Sequence, residues 1–434
     1  MSKRISGKSF GTSAGLILAA FLLIGWSTAR AEEPKPPAMA PAPASAIDKS
    51  LDGLKIGILA YIDYSEGDMG QPGGQAQHYN SFGLTRGYFT VEKKFSNLIG
   101  ARITLDLYQD KEDKIKITTV DGATVTTTEY KVPDDMEGSY VIRLKYLYAV
   151  ISPADRGPFT QMKAELGMGH TPWLDFEESV NPYRCQGTMP VERAGVFASA
   201  DVGVSLMGNF GGTLESAEQK TGNAKYNGRY GSWHLGVYNG GGYATVEKNQ
   251  NKVVEGRISL RPLADELPGL QVSYFYLTGQ GNASTEFKKD TYWPYYDAQV
   301  GMVSFEHPNV VATVQYLAGR GNAAGTWTYH DQRDALPWTG YSAFLQLKKD
   351  KLAAFGRYDW FDIDAQDKIL DDGEGAYALT IYGVSYAPLP GQLLIVDLET
   401  TNYQDDAGGR GKLPVLGNDL GDDRKLQVVY QVKL

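Results

Sequence analysis

The segment KLQVVYQVKL, residues 425–434, alternates apolar and polar side chains almost to the last residue. Leu426, Val428 and Tyr430 share one parity, and Lys425 and Gln427 share the other. Because successive strand side chains point to opposite faces, this segment predicts a strand with one apolar and one mostly polar face. The apolar face needs either a second sheet, as in a soluble sandwich, or lipid, as in a membrane barrel with a wet lumen.

The N-terminus predicts export from the cytoplasm. Basic residues at positions 3, 4 and 8 precede an apolar run at 15–26, and an Ala-Arg-Ala sequence ends at position 31. This is the pattern of a Sec signal peptide, residues 1–31. Residues 32–50 are rich in Pro and Ala and predict a disordered periplasmic leader. Residues 51–434 remain for the folded domain.

Composition excludes several classes of protein. Loss of the four basic residues in the signal would change the net charge from −9 to −13, which argues against a nucleic-acid partner. The single cysteine, Cys185, cannot form an intramolecular disulfide, and no haem-attachment motif occurs. No apolar run after residue 31 approaches the roughly 20 residues of a membrane helix. The chain is therefore expected to be either soluble or an all-β transmembrane barrel.

Strand periodicity and loop lengths favour the barrel. Sixteen alternating segments run from 54–64 to 423–434, and most are near the roughly ten residues that a tilted membrane strand requires. Short links, such as HP at 307–308, alternate with long ones, as in outer-membrane barrels with short periplasmic turns and long extracellular loops. The link at 212–227 is long where a turn is expected, so eighteen strands remain the alternative.

Within the predicted strands, charged residues recur at the positions that alternate with the apolar ones. Burying unpaired charges in a dry core costs several kcal/mol each, so this pattern predicts that the charged face lines a hydrated lumen. In residues 140–148 the alternation directs two basic residues inward and four residues towards lipid: Ile142, Leu144, Tyr146 and Tyr148. The predicted pore-lining residues are Arg102, Asp106, Arg143, Lys145, Lys163, Glu165, Arg257, Arg261, Arg357 and Asp359.

The third long loop, residues 170–200, is the candidate constriction. It combines aromatic residues with opposed charges, which would set a transverse field if the loop folded into the lumen. The alternative is a surface loop whose charges are solvated. The predicted constriction residues are Asp175, Glu177, Glu178, Arg184, Glu192 and Arg193.

Four stretches carry a family resemblance: LGMGHTPWLDFEE (166–178), ASADVGVSLMGNF (198–210), 236–263 and GRYDWFD (356–362). The chain resembles the phosphate-selective porin O and P family over most of its mature length. The resemblance implies a trimeric porin in the bacterial outer membrane, whose members pass phosphate, polyphosphate or other small solutes. Its third loop, however, has four acids to two bases, whereas phosphate is bound by converging bases.

The main functional prediction is passive diffusion of small hydrophilic solutes or ions, with outer-membrane lipid and lipopolysaccharide as the surroundings. An enzyme is not expected, because the five histidines are scattered without a partner spacing that suggests a catalytic set. No cofactor or metal site is predicted. The alternative is a barrel that sheathes a separate multihaem cytochrome in an electron conduit.

Overall fold

A computed structural model describes residues 51–71, 75–109, 114–121, 124–131, 138–287, 290–329, 334–368, 375–404 and 421–434. The predicted signal peptide and leader lie outside these ranges. Within them, no helix has the length and apolar character needed to cross a membrane.

Sixteen antiparallel strands form one closed barrel, as predicted. They are β1 (Leu54–Gln71), β2 (Gln75–Lys94), β3 (Ile99–Gln109), β4 (Tyr140–Ile151), β5 (Phe159–His170), β6 (Ala200–Phe210), β7 (Gly231–Tyr238), β8 (Val253–Leu260), β9 (Leu270–Gln280), β10 (Tyr295–His307), β11 (Val310–Arg320), β12 (Pro337–Lys349), β13 (Leu352–Asp362), β14 (Ala376–Tyr386), β15 (Gln392–Tyr403) and β16 (Asp423–Lys433).

Shorter elements lie in the connections that the structure describes. The helices there are α1 (Leu174–Val180), α2 (Pro190–Arg193) and α3 (Ala217–Thr221). Small two-stranded sheets pair Lys114–Asp121 with Thr124–Lys131, Thr285–Phe287 with Asp290–Tyr292, and Thr328–Tyr329 with Asp334–Ala335.

The C-terminal segment closes the barrel. β16 pairs with β15 on one side and with β1 on the other, from Leu59 opposite Lys433 to Asp68 opposite Arg424. Within it Gln427 is buried on the inner side. The alternation at the end of the chain therefore separates a lumen face from an outward apolar face.

Connection lengths alternate around the barrel. Two-residue turns at 308–309 and 350–351 join β10 to β11 and β12 to β13, and Asp350 adopts the left-handed conformation that such turns favour (φ 52°). The long link between β6 and β7 contains α3 and no further barrel strand, so the eighteen-strand alternative is wrong.

The first hairpin is longer than its apolar pattern predicts. β1 continues to Gln71 and β2 starts at Gln75, although the apolar alternation ends near residue 64. The extension pairs polar residues such as Glu66 with Asn80 and Asp68 with His78. Pairing continues there without an apolar face, so hydrophobic periodicity could not reveal it.

A β-bulge changes which residues of β4 face the lumen. Thr104 of β3 lies opposite Tyr146, whereas the next residue, Leu105, lies opposite Leu144, so Lys145 is extra. Arg143 and Lys145 face inward as predicted, but Tyr146 and Tyr148 also turn inward and are buried. Their predicted lipid-facing orientation is wrong, because the extra residue reverses the parity.

The outer wall of the barrel is apolar. Outward residues such as Ile56 (60% exposed), Leu235 (57%) and Val314 (64%) would meet lipid if the barrel spans a membrane. The predicted outer-membrane location agrees with this wall and with the closed, edge-free sheet.

We expect Val314→Arg to lower the free energy of unfolding in lipid bilayers by about 2–4 kcal/mol, because the Val314 side chain faces outward midway along β11. Urea-induced unfolding, followed by tryptophan fluorescence, measures this cost. The control Val246→Arg makes the same change at an exposed position in the connection 239–252 and should alter stability by less than about 0.5 kcal/mol. Equal costs would contradict a lipid-facing wall at Val314.

Candidate pore constriction

The third loop, predicted at 170–200, occupies residues 171–199 between β5 and β6. It packs against a mostly apolar inner surface formed by β9–β16. Trp173, Phe176 and Met189 are fully buried against wall residues such as Phe275 and Phe355, in one hydrophobic cluster. The Trp173 and Phe197 rings lie 5.8 and 5.4 Å from that of Phe275. Burying each such side chain contributes about 1.5–3 kcal/mol, so the loop is a packed part of the interior.

Hydrogen bonds connect this loop to widely separated strands. The Tyr183 hydroxyl lies 2.8 Å from that of Ser385 on β14, and its ring stacks on Phe355 at 3.9 Å. Arg357 of β13 donates to the Thr188 carbonyl at 2.8 Å. On the far side, Arg257 of β8 donates to the Pro172 carbonyl at 3.1 Å. The loop therefore lies inside the barrel, held by β8 on one side and by β13 and β14 on the other.

The segment 211–230, between β6 and β7, meets the third loop from the other barrel end. The Tyr226 ring packs edge-on against Phe176 at 5.3 Å, and its hydroxyl donates to Asp175. Asn223 donates to the Ser179 carbonyl at 2.8 Å. These contacts account for the unusual length of this link, because it supports α1.

Most loop charges are already paired. Arg184 bonds Glu178 at 2.7 Å and Glu192 at 3.1 Å, so this trio carries one net negative charge. Arg193 bonds Glu399 of β15 at 2.5 Å. The acids and bases of the loop are therefore held largely as ion pairs within the loop or to the adjacent wall, and the transverse field expected of them stays a prediction.

The wall formed by β2–β5 presents cations on tyrosine rings. Arg143 lies over Tyr108 at 4.5 Å and bonds Asp106 at 2.8 Å. The other members are Arg86 over Tyr88 (5.2 Å), Lys145 over Tyr88, Tyr146 and Tyr243 (5.0–5.6 Å), Arg102 over Tyr146 (5.0 Å) and Lys163 over Tyr148 (5.5 Å). We call this set the basic tyrosine wall. Cation–π contacts hold such cations in place without neutralising them.

Two cations of this wall have no carboxylate within 4 Å among the described residues: Arg86 and Lys145. Lys145 instead donates to the Ser199 hydroxyl at 2.8 Å. Glu178 and Glu192 lie close enough to interact electrostatically with Lys145. The Arg184 trio therefore lies near this part of the wall.

Other members of the wall are more nearly balanced. Lys163 bonds Glu165 at 2.6 Å, and Glu165 also bonds His170 at 3.0 Å. Arg102 lies 3.6 Å from Glu92. Arg102 and Lys163 border a cavity of about 370 Å³ beside the turns that join β2 to β3 and β4 to β5. Solvent at this end of the barrel therefore reaches both side chains.

Several predicted site residues lie beneath the third loop. Arg257, Arg357 and Asp359 are inward and at most 5% exposed. Arg261 is equally buried, but it donates to the Gly228 carbonyl of the segment 211–230 at 3.4 Å. Arg357 bonds Asp359, and Arg257 lies over the Phe176 ring at 4.3 Å. Glu177 is also buried, where it accepts hydrogen bonds from Trp173 at 2.8 Å and Gln315 at 2.6 Å. These residues brace the loop and do not border the passage.

Burial raises the pKa of the Glu177 carboxyl to about 7, although the hydrogen bonds from Gln315 and Trp173 act in the opposite direction. Burial likewise raises the pKa of the Cys185 thiol to about 12, so this cysteine stays protonated and unreactive. Among the described residues, no group of His, Cys, Asp and Glu side chains is arranged to hold a metal ion.

The tyrosines are the site residues that sequence reasoning missed. Strict alternation places Tyr146 and Tyr148 towards lipid, and Tyr243 lies in the long connection between β7 and β8. The spacing of the leucines in β4 could have revealed the inward orientation of Tyr146 and Tyr148. Leu144 and Leu147 both face outward although three positions separate them, which strict alternation forbids.

The barrel has the porin fold. No family model matches the chain, so its resemblance to the phosphate-selective porin O and P family remains a prediction. No curated protein sequence matches it either. Three solved structures resemble it: an anion-selective porin from Comamonas acidovorans (11% identity, TM-score 0.54, 88% of this chain and 100% of that chain), OmpF of Salmonella typhi in complex with daunomycin (11%, 0.51, 88% and 97%) and OprB of Pseudomonas putida (9%, 0.51, 90% and 96%). At these identities the likeness extends to the fold alone.

We expect Trp173→Ala to cost about 3–5 kcal/mol of stability and to release the third loop, because the indole is fully buried between loop and wall. Limited trypsin digestion after Arg184 and Arg193 reports the release. The control Trp360→Ala removes an indole stacked on Tyr341 of the outer wall and should leave the loop resistant. Equal cleavage in both variants would show that the loop is not held by this contact.

The stability contributed by Glu177 should fall as pH rises. Its folded-state pKa is about 7, above that of an unfolded glutamate, so the folded protein alone holds this proton between about pH 4.5 and 7. The contribution is complete below that window, is lost across it and amounts to at most about 3 kcal/mol. Glu177→Gln should flatten this part of the dependence in urea unfolding at pH 5 and pH 8. An unchanged pH difference in the variant would contradict the assignment.

Proposed function

We propose that this protein is an outer-membrane porin, a water-filled channel through which small hydrophilic solutes diffuse passively. The observation that supports the proposal most is the arrangement of the lumen. Sixteen strands enclose a space too wide for wall side chains to fill, and the third loop occupies only the half against β9–β16. The other half keeps a charged, tyrosine-rich wall.

The balance of charge at the constriction favours anions weakly. In the described part of the chain, Arg86 and Lys145 have no carboxylate within 4 Å, and the Arg184 trio near them carries one net negative charge. The sum over these five groups is one positive charge. Arg86 and Lys145 lie over the same Tyr88 ring, but Arg143 and Lys163 are bound to acids, so the site has few free donors for the tight binding of phosphate.

The cytochrome sheath is the less favoured alternative. The third loop lies inside the barrel and is fixed to the wall by a hydrophobic cluster, so it occupies space that an enclosed partner would need. The homotrimer, the contacts with lipopolysaccharide and the cleavage of residues 1–31 remain parts of the proposal that stand on the sequence.

The first test is planar-bilayer conductance of the purified protein in a KCl gradient. Open steps with a reversal potential on the anion-selective side are expected, and millimolar phosphate should reduce the current only slightly. Strong phosphate block would favour the phosphate-selective reading instead. A protein that inserts without conducting would contradict a porin.

We expect Lys145→Gln to shift the reversal potential towards cation selectivity. One charge acting across a wet passage changes the energy of a passing ion by about 1 kcal/mol, with opposite sign for anions and cations, which is about fivefold for each ion and roughly 25-fold in the anion-to-cation permeability ratio. The control Lys348→Gln removes an exposed lysine near the turn at 350–351 and should leave selectivity unchanged. If both variants behave like the parent protein, Lys145 does not set the selectivity.

A further inference from the structure

The outer wall of the barrel carries an open apolar groove. It has a volume of about 590 Å³ and lies across β5–β9. Phe159, Met162, Leu206, Trp233 and Leu235 line it, so nearly all of its surface is hydrocarbon or aromatic. None of these outward side chains takes part in the pore.

Outward glycines form the floor of the groove. A Cβ atom at Gly208 would lie 3.3 Å from Met162 Cγ, and one at Gly256 would lie 3.0 Å from Leu235 Cδ2. Along the same strands, the flanking outward residues are large, as with Leu206 and Phe210 around Gly208. The wall is therefore hollowed between ridges, and a slender apolar molecule would make contacts there that a smooth wall would not provide.

A cation and an aromatic cluster mark the turn end of the groove. Arg156, in the turn 152–158, is exposed and lines it. Among the described residues, its guanidinium has no ion pair or hydrogen bond. Phe159 lies 5.7 Å from Trp233 and 5.8 Å from Phe210, ring centre to ring centre. Aromatic residues of this kind concentrate at the headgroup level of membranes.

We propose that this groove binds one acyl chain of an anionic phospholipid, with the lipid phosphate on Arg156. The inference rests on the proposed function in one respect, namely that the barrel spans the outer membrane with its short turns facing the periplasm. A guanidinium donates two parallel hydrogen bonds to a phosphate, and the apolar groove beside it accommodates the attached chain. A second copy of the protein is a poorer occupant, because it would bury this cation unless it supplied an acid.

The test is native mass spectrometry of the full-length protein, released from detergent after titration with phosphatidylglycerol or with phosphatidylcholine. One phosphatidylglycerol should remain bound in preference to phosphatidylcholine. Arg156→Ala should lower its retention several-fold. Gly256→Val should also lower the retention of phosphatidylglycerol, because the valine side chain fills the floor of the groove while Arg156 is unchanged. The control Lys349→Ala removes a positive charge at another turn and should retain the lipid.

Each variant is also measured in the bilayer assay. Parental conductance combined with lost lipid supports the groove as a lipid site, whereas a parent protein that binds the lipid without conducting would count against the porin proposal and not against the lipid. Unchanged retention in Arg156→Ala or in Gly256→Val would overturn the proposal. So would a photoreactive benzophenone side chain at position 162 that crosslinks two copies of the protein in native membranes.

Discussion

The ladder of hydrogen bonds between β1 and β16 is the constraint on which the rest of the structure depends. In hydrocarbon, an unpaired backbone N–H or C=O costs several kcal/mol, because water cannot replace the missing partner. The pairing of residues 59–68 with 424–433 removes both sheet edges at once. Closure at sixteen strands then fixes a lumen that wall side chains alone cannot fill. The third loop follows from that geometry, since it supplies the missing interior.

The lumen has two inner surfaces with different roles. The surface of β9–β16 is apolar and is covered by the third loop, which gives the barrel a hydrophobic core of the kind found in soluble proteins. The surface of β2–β5 keeps its charges, held by tyrosine rings and by acids on neighbouring strands. Charges such as Arg357 and Asp359 at the covered surface hold the loop, and those at the open surface are the ones that solutes would meet in the proposed channel.

Local rules predicted the strands well, because a lipid-facing strand must show its apolar residues at every second position. The predicted segment 99–109 coincides with β3, and 423–434 differs from β16 by one residue. Prediction failed where alternation stops or changes phase, as in the polar hairpin beyond residue 64 and at the bulge at Lys145. It also could not show which charges are covered. The bond between Arg193 and Glu399 joins residues 206 positions apart, and no local pattern reports such a contact.

The support of the third loop by Tyr226 and Asn223 from the opposite barrel end also bears on how the channel responds to an electric field. A potential of 100 mV does about 2.3 kcal/mol of work on a unit charge that crosses the whole membrane. The loop carries four acids and two bases, and its displacement within the lumen would span only part of that distance. Undocking would expose several side chains that each contribute about 1.5–3 kcal/mol. Membrane voltage is therefore too weak a force to open or close this passage by moving the loop.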